Sequence, residues 1–307
     1  MATYSRNMDQ LQGLIQLTRW QEHIPFVVPL TVLGALLAVQ NAGAGALLDW
    51  RLIAVTLANV LAVAYAFMIN DIEDAPDDAR DPARAARNPI SSGRIHPRVG
   101  YNACRAIAVI TILLYALGGT SVLLIGGATL LLSHLYSWRP VRLKAYPVTD
   151  IVSHSLMLSG LLLLAGYYIY HQQPGLVWLV AAGATLFSVY GQLYNQLRDF
   201  EMDKAAGLYN TAIVLGEPNT RRAIYLTIAL AGVCFLAAVV QGVFPLWLGL
   251  ALGFSIGVSM LVNAQNDMRG SAAADASAKM QVRALIVTNL TVYIWLAAAL
   301  AVQFQIL

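Results

Sequence analysis

Polar residues dominate as far as Gln10, and from there apolar positions take over in blocks. Leu11, Leu14, Ile15 and Leu17 recur at helical spacing and predict a short amphipathic helix lying on a membrane over residues 1–22. Nine apolar runs follow, at about 24–41, 50–70, 99–117, 120–137, 151–170, 175–196, 222–241, 245–263 and 283–304. A helix needs roughly 20 such residues to cross a bilayer. A transmembrane barrel would instead show alternating segments of about ten residues. The pattern predicts an all-α polytopic membrane protein with nine transmembrane helices, forming one domain over 1–307.

Composition agrees: 58% of the 307 residues are hydrophobic and 11% charged. Soluble domains average about a quarter charged, so this chain cannot clothe a water-facing surface. The N-terminus lacks the basic start, apolar run and small-residue site of a cleavable signal. Cys104 and Cys234 fall inside apolar runs and read as small core residues rather than redox or metal groups.

Charge sets the orientation. The connections after the odd-numbered runs are short, and their only ionic residues are Asp49 and Arg51. Of the 19 lysines and arginines, all but Arg51 fall before the first run, in the even-numbered connections or at the adjoining helix ends. The positive-inside rule then places the N-terminus and the loops 71–98 and 197–221 in the cytoplasm, as in a bacterial-type inner membrane.

The acids gather on the same side, and they cluster. Asn70-Asp71-x-x-Asp74-x-x-x-Asp78 follows the second run, and Asp199-x-x-x-Asp203 follows the sixth. Helical spacing puts Asp71, Asp74 and Asp78 on one face and Asp199 and Asp203 on another. Pro76 is expected to end or bend the first of these helices and to present Asp78 from a turn. Like charges on one face repel, so something positive is expected between them. Mg²⁺ suits such groups, because it takes one or two carboxylates together with water and substrate phosphates. Two carboxylate faces holding Mg²⁺ would clamp a diphosphate, with Arg87, Arg94, Arg142, Lys144 and Arg198 as further phosphate partners. With an apolar core below, an isoprenyl diphosphate is the natural substrate. Tyr65, Phe67, Tyr136, Tyr190 and Tyr194 lie near the motif-bearing helix ends, where aromatic faces stabilise an allylic cation. Tyrosines near membrane interfaces are also common belt residues, and acidic loops are common solvated edges. The five histidines are widely separated, and none pairs with a second ligand at metal spacing.

These residues resemble the UbiA superfamily of intramembrane prenyltransferases. The resemblance covers nearly the whole chain. It includes both acidic motifs, "NPISSGRI" (88–95), "YSWRPVRLKAYP" (136–147) and "RDFEMDKAAGLYNTAIVLG" (198–216). It implies two four-helix halves plus a final helix. It implies that Asp71, Asp74 and Asp78, with Asn70, hold one Mg²⁺ and that Asp199 and Asp203 hold the other. Tyr194-x-x-x-Arg198 stands where Y-x-x-x-K is common, and arginine keeps the phosphate-binding charge. Asn88 stands where an arginine often precedes the proline, with Arg87 one place earlier. "NAQNDM" (263–268) faintly echoes the first motif but lacks its later carboxylates, and reads as a helix end.

The expected activity is Mg²⁺-dependent transfer of a prenyl group, with release of diphosphate, and with Asp71, Asp74, Asp199, Asp203 and Tyr194 in the catalytic set. The expected partners are an isoprenyl diphosphate, a lipophilic or aromatic acceptor and membrane lipid, with no nucleic acid. An aromatic acceptor of quinone-type biosynthesis is the first expectation, and Arg19 and Arg139 are the candidates to meet a carboxylate on it. Prenylation of a non-aromatic lipid and terpene cyclisation are alternatives. A cation-binding transporter is disfavoured, because transporters place ionisable groups near the bilayer midplane.

Overall fold

A computed structural model of the chain describes residues 2–42, 47–205, 207–262 and 276–306. The expected echo at 263–268 and Arg269 lie outside the described residues. Every regular element among the described residues is helical. In order they are α1 (Ala2–Thr18), α2 (Trp20–Ala42), α3 (Trp50–Asp78), α4 (Pro82–Arg87), α5 (Pro97–Leu117) and α6 (Thr120–Ser137). A 3-10 turn (Leu143–Ala145) leads to α7 (Thr149–Ser155), a π-turn (Leu156–Gly160), α8 (Leu161–Tyr167), α9 (Val177–Arg198), α10 (Phe200–Ala205) and α11 (Thr211–Leu215). Last come α12 (Glu217–Val240), α13 (Leu248–Leu261) and α14 (Ala276–Gln303).

Among the described residues, eight helical stretches are long and apolar enough to cross a membrane: α2, α3, α5, α6, the continuous α7–α8, α9, α12 and α14. They coincide with eight of the nine runs read from the sequence. The remaining run is α13, an apolar helix of 14 residues. At 1.5 Å per residue it reaches about 21 Å, short of a ~30 Å hydrocarbon core.

α3 is the central post. It packs on α2, α5 and α6, while α9 packs on α12 and α13 on α14. In lipid, helices associate through close packing and shared hydrogen bonds rather than through a hydrophobic drive. Both devices are present. A Cβ on Gly34 of α2 would lie 2.0 Å from the Leu163 carbonyl oxygen, so glycine is what lets α2 and α8 touch. Asn59 of α3 is fully buried. Its amide donates to Thr31 Oγ1 at 2.7 Å and to the Leu162 carbonyl at 3.0 Å, and its oxygen accepts from Tyr115 Oη at 2.7 Å. One side chain thereby joins α2, α3, α5 and α8.

The expected amphipathic helix is α1, but its apolar residues do not share one environment. Leu17 is fully buried, whereas Leu11 and Ile15 are about half exposed. α1 is fastened to the loop behind the first acidic motif. Gln16 donates to the Arg87 carbonyl at 3.1 Å and accepts from Arg94 Nη1 at 2.6 Å.

Candidate active site

α3 does not stop at Pro76. It runs on to Asp78 as helix, so the third aspartate is presented by a last helical turn and not by a loop. Proline lacks the N–H that would bond four residues back. The following loop supports this turn from outside. Asn88 Nδ2 donates to the Asp71 carbonyl at 2.7 Å and to Asp78 Oδ2 at 2.9 Å, and Ser91 Oγ donates to the Ala75 carbonyl at 2.9 Å. Asn88, which departs from the family pattern, therefore acts as a brace for the acidic helix end.

The acids of α3 divide between two faces. Glu73 and Asp77, four residues apart, fasten neighbouring elements. Glu73 accepts from Tyr101 Oη at 2.9 Å and from the Arg139 backbone N–H at 3.3 Å, and Asp77 pairs with Arg139 at 3.0 Å and with Arg142 at 3.2 Å, the arginine that also reaches Asp74. The other face carries the motif. Asp74 pairs with Lys144 at 2.5 Å and Arg142 at 3.0 Å. Asn70 Oδ1 accepts from Lys144 Nζ at 2.8 Å and from Ser137 Oγ at 3.1 Å. Asp71 is buried, with Arg19 Nη1 at 3.5 Å.

Two of these arginines sit on uncommon backbone. Among the described residues, four non-glycines have positive φ, and Arg19 (49°) and Arg142 (45°) are two of them. Left-handed backbone is costly for a side-chain-bearing residue and concentrates at functional sites. Arg19 is held at the α1–α2 joint by a fork to Glu22 at 2.8 and 2.5 Å, and its guanidinium stands 4.5 Å over the Phe67 ring. Burial pulls the Lys144 ammonium below its ordinary value, and the adjacent Asp74 charge pulls the other way.

The second motif closes α9. Asp199 caps that helix and accepts both arms of Arg198, each at 2.9 Å. Asp203, on α10, accepts from Asn210 Nδ2 at 2.9 Å. Burial and then the charge of Asp199 hold the Asp203 carboxyl above its ordinary range, against the Asn210 hydrogen bond and the charges of Arg84 and Arg198. The two motif loops meet: Arg84 Nη2 of α4 lies 3.0 Å from Met202 Sδ of α10.

Among the described residues, no three or more acids, histidines and cysteines form a closed metal cage. Asp71, Asp74 and Asp78 take their nearest polar contacts from different side chains: Arg19, Lys144 with Arg142, and Asn88. The donor set still suits Mg²⁺, which is commonly held by one or two carboxylates with water and phosphate completing the shell. Arg19, Arg142, Lys144 and Arg198 already stand against the carboxylates, consistent with a site that demands positive charge.

Two expected phosphate partners lie in the loop after the first motif. Arg94 Nη1 donates to Gln16 Oε1 at 2.6 Å, and Arg87 is exposed. Tyr190 and Tyr194 are fully buried in a cluster with Ile151, Leu193 and Leu197, packed behind the motif. Tyr65 bonds His134 Nδ1 at 2.9 Å, and Tyr136 accepts from Gln192 at 3.2 Å.

Several participants escape sequence reading. Arg84 sits among other loop arginines with nothing to distinguish it. Asp150 is fully buried and carries no ion pair among the described contacts. Its carboxylate accepts from Gln196 Nε2 at 2.7 Å and from the Thr211 N–H at 2.8 Å and hydroxyl at 2.5 Å, tying α7 to α9 and to the segment after Asp203. Its lone occurrence near a helix start was the available signal.

Behind the motifs lies an apolar cavity of about 540 Å³. Phe26, Phe67, Phe187 and Phe235 line it, with Glu22 at the start of α2 and Asn195 near the motif-bearing end of α9. Its lining residues on α9 run from Asn195 to Ala184. Eleven steps at 1.5 Å give a depth of about 16 Å.

Solved structures share this architecture. A UbiA homologue from Archaeoglobus fulgidus bound to GPP and Mg²⁺ superposes with a TM-score of 0.69 at 21% identity, covering 93% of this chain and 98% of that one. Digeranylgeranylglyceryl phosphate synthase gives 0.64 at 17% identity, covering 94% and 98%. Among characterised sequences, lycopene elongase/hydratase of Haloarcula japonica is 32% identical over 162 residues, and that of Haloferax volcanii is 30% identical over 180. These matches span about half of each relative, 51% and 57%, and 51% and 58% of this chain. The UbiA prenyltransferase family pattern matches residues 27–286, most of the chain and both acidic helix ends, and the chain belongs to that family.

Proposed function

We propose that this protein is a Mg²⁺-dependent prenyltransferase that takes an allylic isoprenyl diphosphate and passes its prenyl group to an uncharged, lipophilic acceptor, releasing diphosphate. The observation that carries this reading is an apolar cavity of about 540 Å³ lined by Phe67 and Asn195, each one helical turn before the first aspartate of a motif, while the two motif segments touch through Arg84 and Met202. The GPP and DMAPP bound with Mg²⁺ by the Archaeoglobus homologue support an allylic diphosphate as the donor. Mg²⁺ held by Asp71, Asp74 and Asp78 and by Asp199 and Asp203 would neutralise the leaving diphosphate. Lys144, Arg142 and Arg198, already beside those carboxylates, add charge to hold the phosphoryl oxygens. The phenylalanine walls shelter the prenyl tail and favour the cation formed on ionisation.

The cavity favours the non-aromatic lipid alternative over a carboxylated phenol. The described cavity-lining residues include no lysine or arginine. Arg19 is paired with Glu22 and Asp71, and the Arg139 guanidinium pairs with Asp77 and donates through Nε to the Glu73 carbonyl. A carboxylate entering there would lose its hydration without gaining a free cation. The lycopene elongase/hydratase relatives point the same way, towards an isoprenoid polyene. We place the motif-bearing end in the cytoplasm, from the distribution of basic residues.

The test is diphosphate release by purified protein with Mg²⁺, GPP or DMAPP, and either lycopene or a hydroxybenzoate, with Asp71→Ala and Asp199→Ala as controls. Release that depends on lycopene and is lost in both variants supports the proposal. Release dependent on the hydroxybenzoate restores the aromatic reading, and acceptor-free release with a hydrocarbon product indicates cyclisation. No release from folded protein rejects the transferase.

A further inference from the structure

A prenyl transfer that ends in a neutral product must dispose of a proton, and the acidic motifs are poor receivers once they hold cations. We infer that His154 accepts that proton. The inference rests on the transferase reading above.

The described residues lining the cavity include two titratable side chains, Glu22 and His154. Both carboxylate oxygens of Glu22 already accept from Arg19, at 2.8 and 2.5 Å. An imidazole, in contrast, exchanges a proton near neutrality. His154 is therefore the cavity group suited to act as a base.

Its placement is built into the backbone. His154 occupies the last turn of α7, one turn inward from Asp150, whose carboxylate is fixed by Gln196 and Thr211. The π-turn Leu156–Gly160 follows directly. It brings Leu158 and Ser159, four and five residues on, to the same cavity wall as His154. Single π-turns inside α-helices occur frequently at functional sites. Gly160 presses this turn against α9, since a Cβ there would lie 2.3 Å from Thr185 Oγ1. The imidazole ring is 5.9 Å from the ring of Tyr136, which Gln192 of α9 holds by its hydroxyl. His154 thus stands on the wall between the acidic end and the tail region.

The step balances as follows. The allylic C–O bond breaks, and its electron pair leaves with diphosphate. An acceptor double bond supplies the pair for the new C–C bond and becomes a carbocation. A neighbouring C–H bond breaks, its pair closes an alkene, and the proton passes to an imidazole nitrogen of His154. The imidazolium later returns it to the released diphosphate.

The experiment uses full-length H154Q and H154A with Mg²⁺, DMAPP and lycopene, scoring diphosphate and prenylated lycopene separately, with a thermal melt and DMAPP binding as checks on folding. Both variants are expected to bind DMAPP like the wild type and to form product at least about 10²-fold more slowly, with KM for DMAPP little changed. Added imidazole is expected to restore product formation by H154A and not by D71A. Unchanged product rates overturn the assignment, and so does a loss that tracks lost DMAPP binding without imidazole rescue. A wild-type protein that releases no diphosphate rejects the transferase reading itself, and His154 with it.

Discussion

Lys144 Nζ lies 2.5 Å from Asp74 Oδ2, and it reaches that carboxylate across 70 residues of chain. The same ammonium bonds Asn70, so it reads both ends of the first motif's helical turn. Replacing it leaves Asp74 with Arg142 alone. Lys144→Met is expected to lower diphosphate release by about 10²-fold, the scale of one preorganised charge-stabilising donor. Lys144→Arg is expected to restore little, because a planar fork does not fit a point-charge position. Single-turnover assays of both variants check this.

The two faces of α3 separate in the same assay. Asp71→Asn is expected to cut the rate by about 10²–10³-fold with an unaltered melt. Glu73→Gln keeps an acceptor for Tyr101 and is expected to leave the rate close to wild type, at a stability cost of about 1 kcal/mol. Equal rates for the two variants would remove the division of labour proposed for this helix.

Chelation is expected to abolish turnover, and added Mg²⁺ to restore it. With few protein ligands at each motif, the ion should bind weakly alone and tightly with GPP, whose phosphates complete its shell. Calorimetric titration with and without GPP measures the difference. Tight binding to the protein alone would mean a closed cage that forms only in solution.

Asp150→Asn tests the buried brace. Asp150 Oδ2 accepts from the Gln196 amide and the Thr211 N–H, and Oδ1 from the Ile151 N–H and the Thr211 hydroxyl, so an amide nitrogen in either position faces at least one N–H donor. The cost is about 1–3 kcal/mol for an unsatisfied buried group. The segment carrying Asn210, and with it the Asp203 carboxylate, should loosen. The expected result is a rise in KM for the allylic diphosphate with the helical content kept, read by steady-state kinetics and circular dichroism.

Gly34→Val places methyl groups where Leu163 already stands. Overpacking costs about 1–3 kcal/mol, and here the obstacle is helix backbone, which yields little. A lowered melting temperature in detergent is expected, with Gly127→Ala as a neutral control because its Cβ would meet open space.

Much of this was legible in the chain, for reasons that can be stated residue by residue. Charge is expensive at lipid depth, so apolar runs declare the spans. Spacings of three and four declare that Asp71, Asp74 and Asp78 share a face. Pro76 misleads, because the rule for isolated helices ignores a loop that returns to hold the turn through Asn88 and Ser91. The Arg94 contact is not legible either, because Gln16, which accepts from its guanidinium, lies 78 positions earlier. Arg19 and Asp71 are separated by 52 residues, and no local pattern announces their pairing. The cavity and its histidine are properties of six packed segments together, and no one of them carries the signal alone.

Asn59 also constrains the order in which this protein is assembled. Thr31 precedes it, but Tyr115 and the Leu162 carbonyl are synthesised later. Until α8 emerges, the amide sits at lipid depth with an incomplete set of partners, a state that favours holding the early helices loosely. The junction crosses the boundary between the chain's first and second groups of helices. Cutting the chain in the connection after α6 would therefore not yield two self-sufficient halves, because the seam that matures last is the one that runs through the middle of the first.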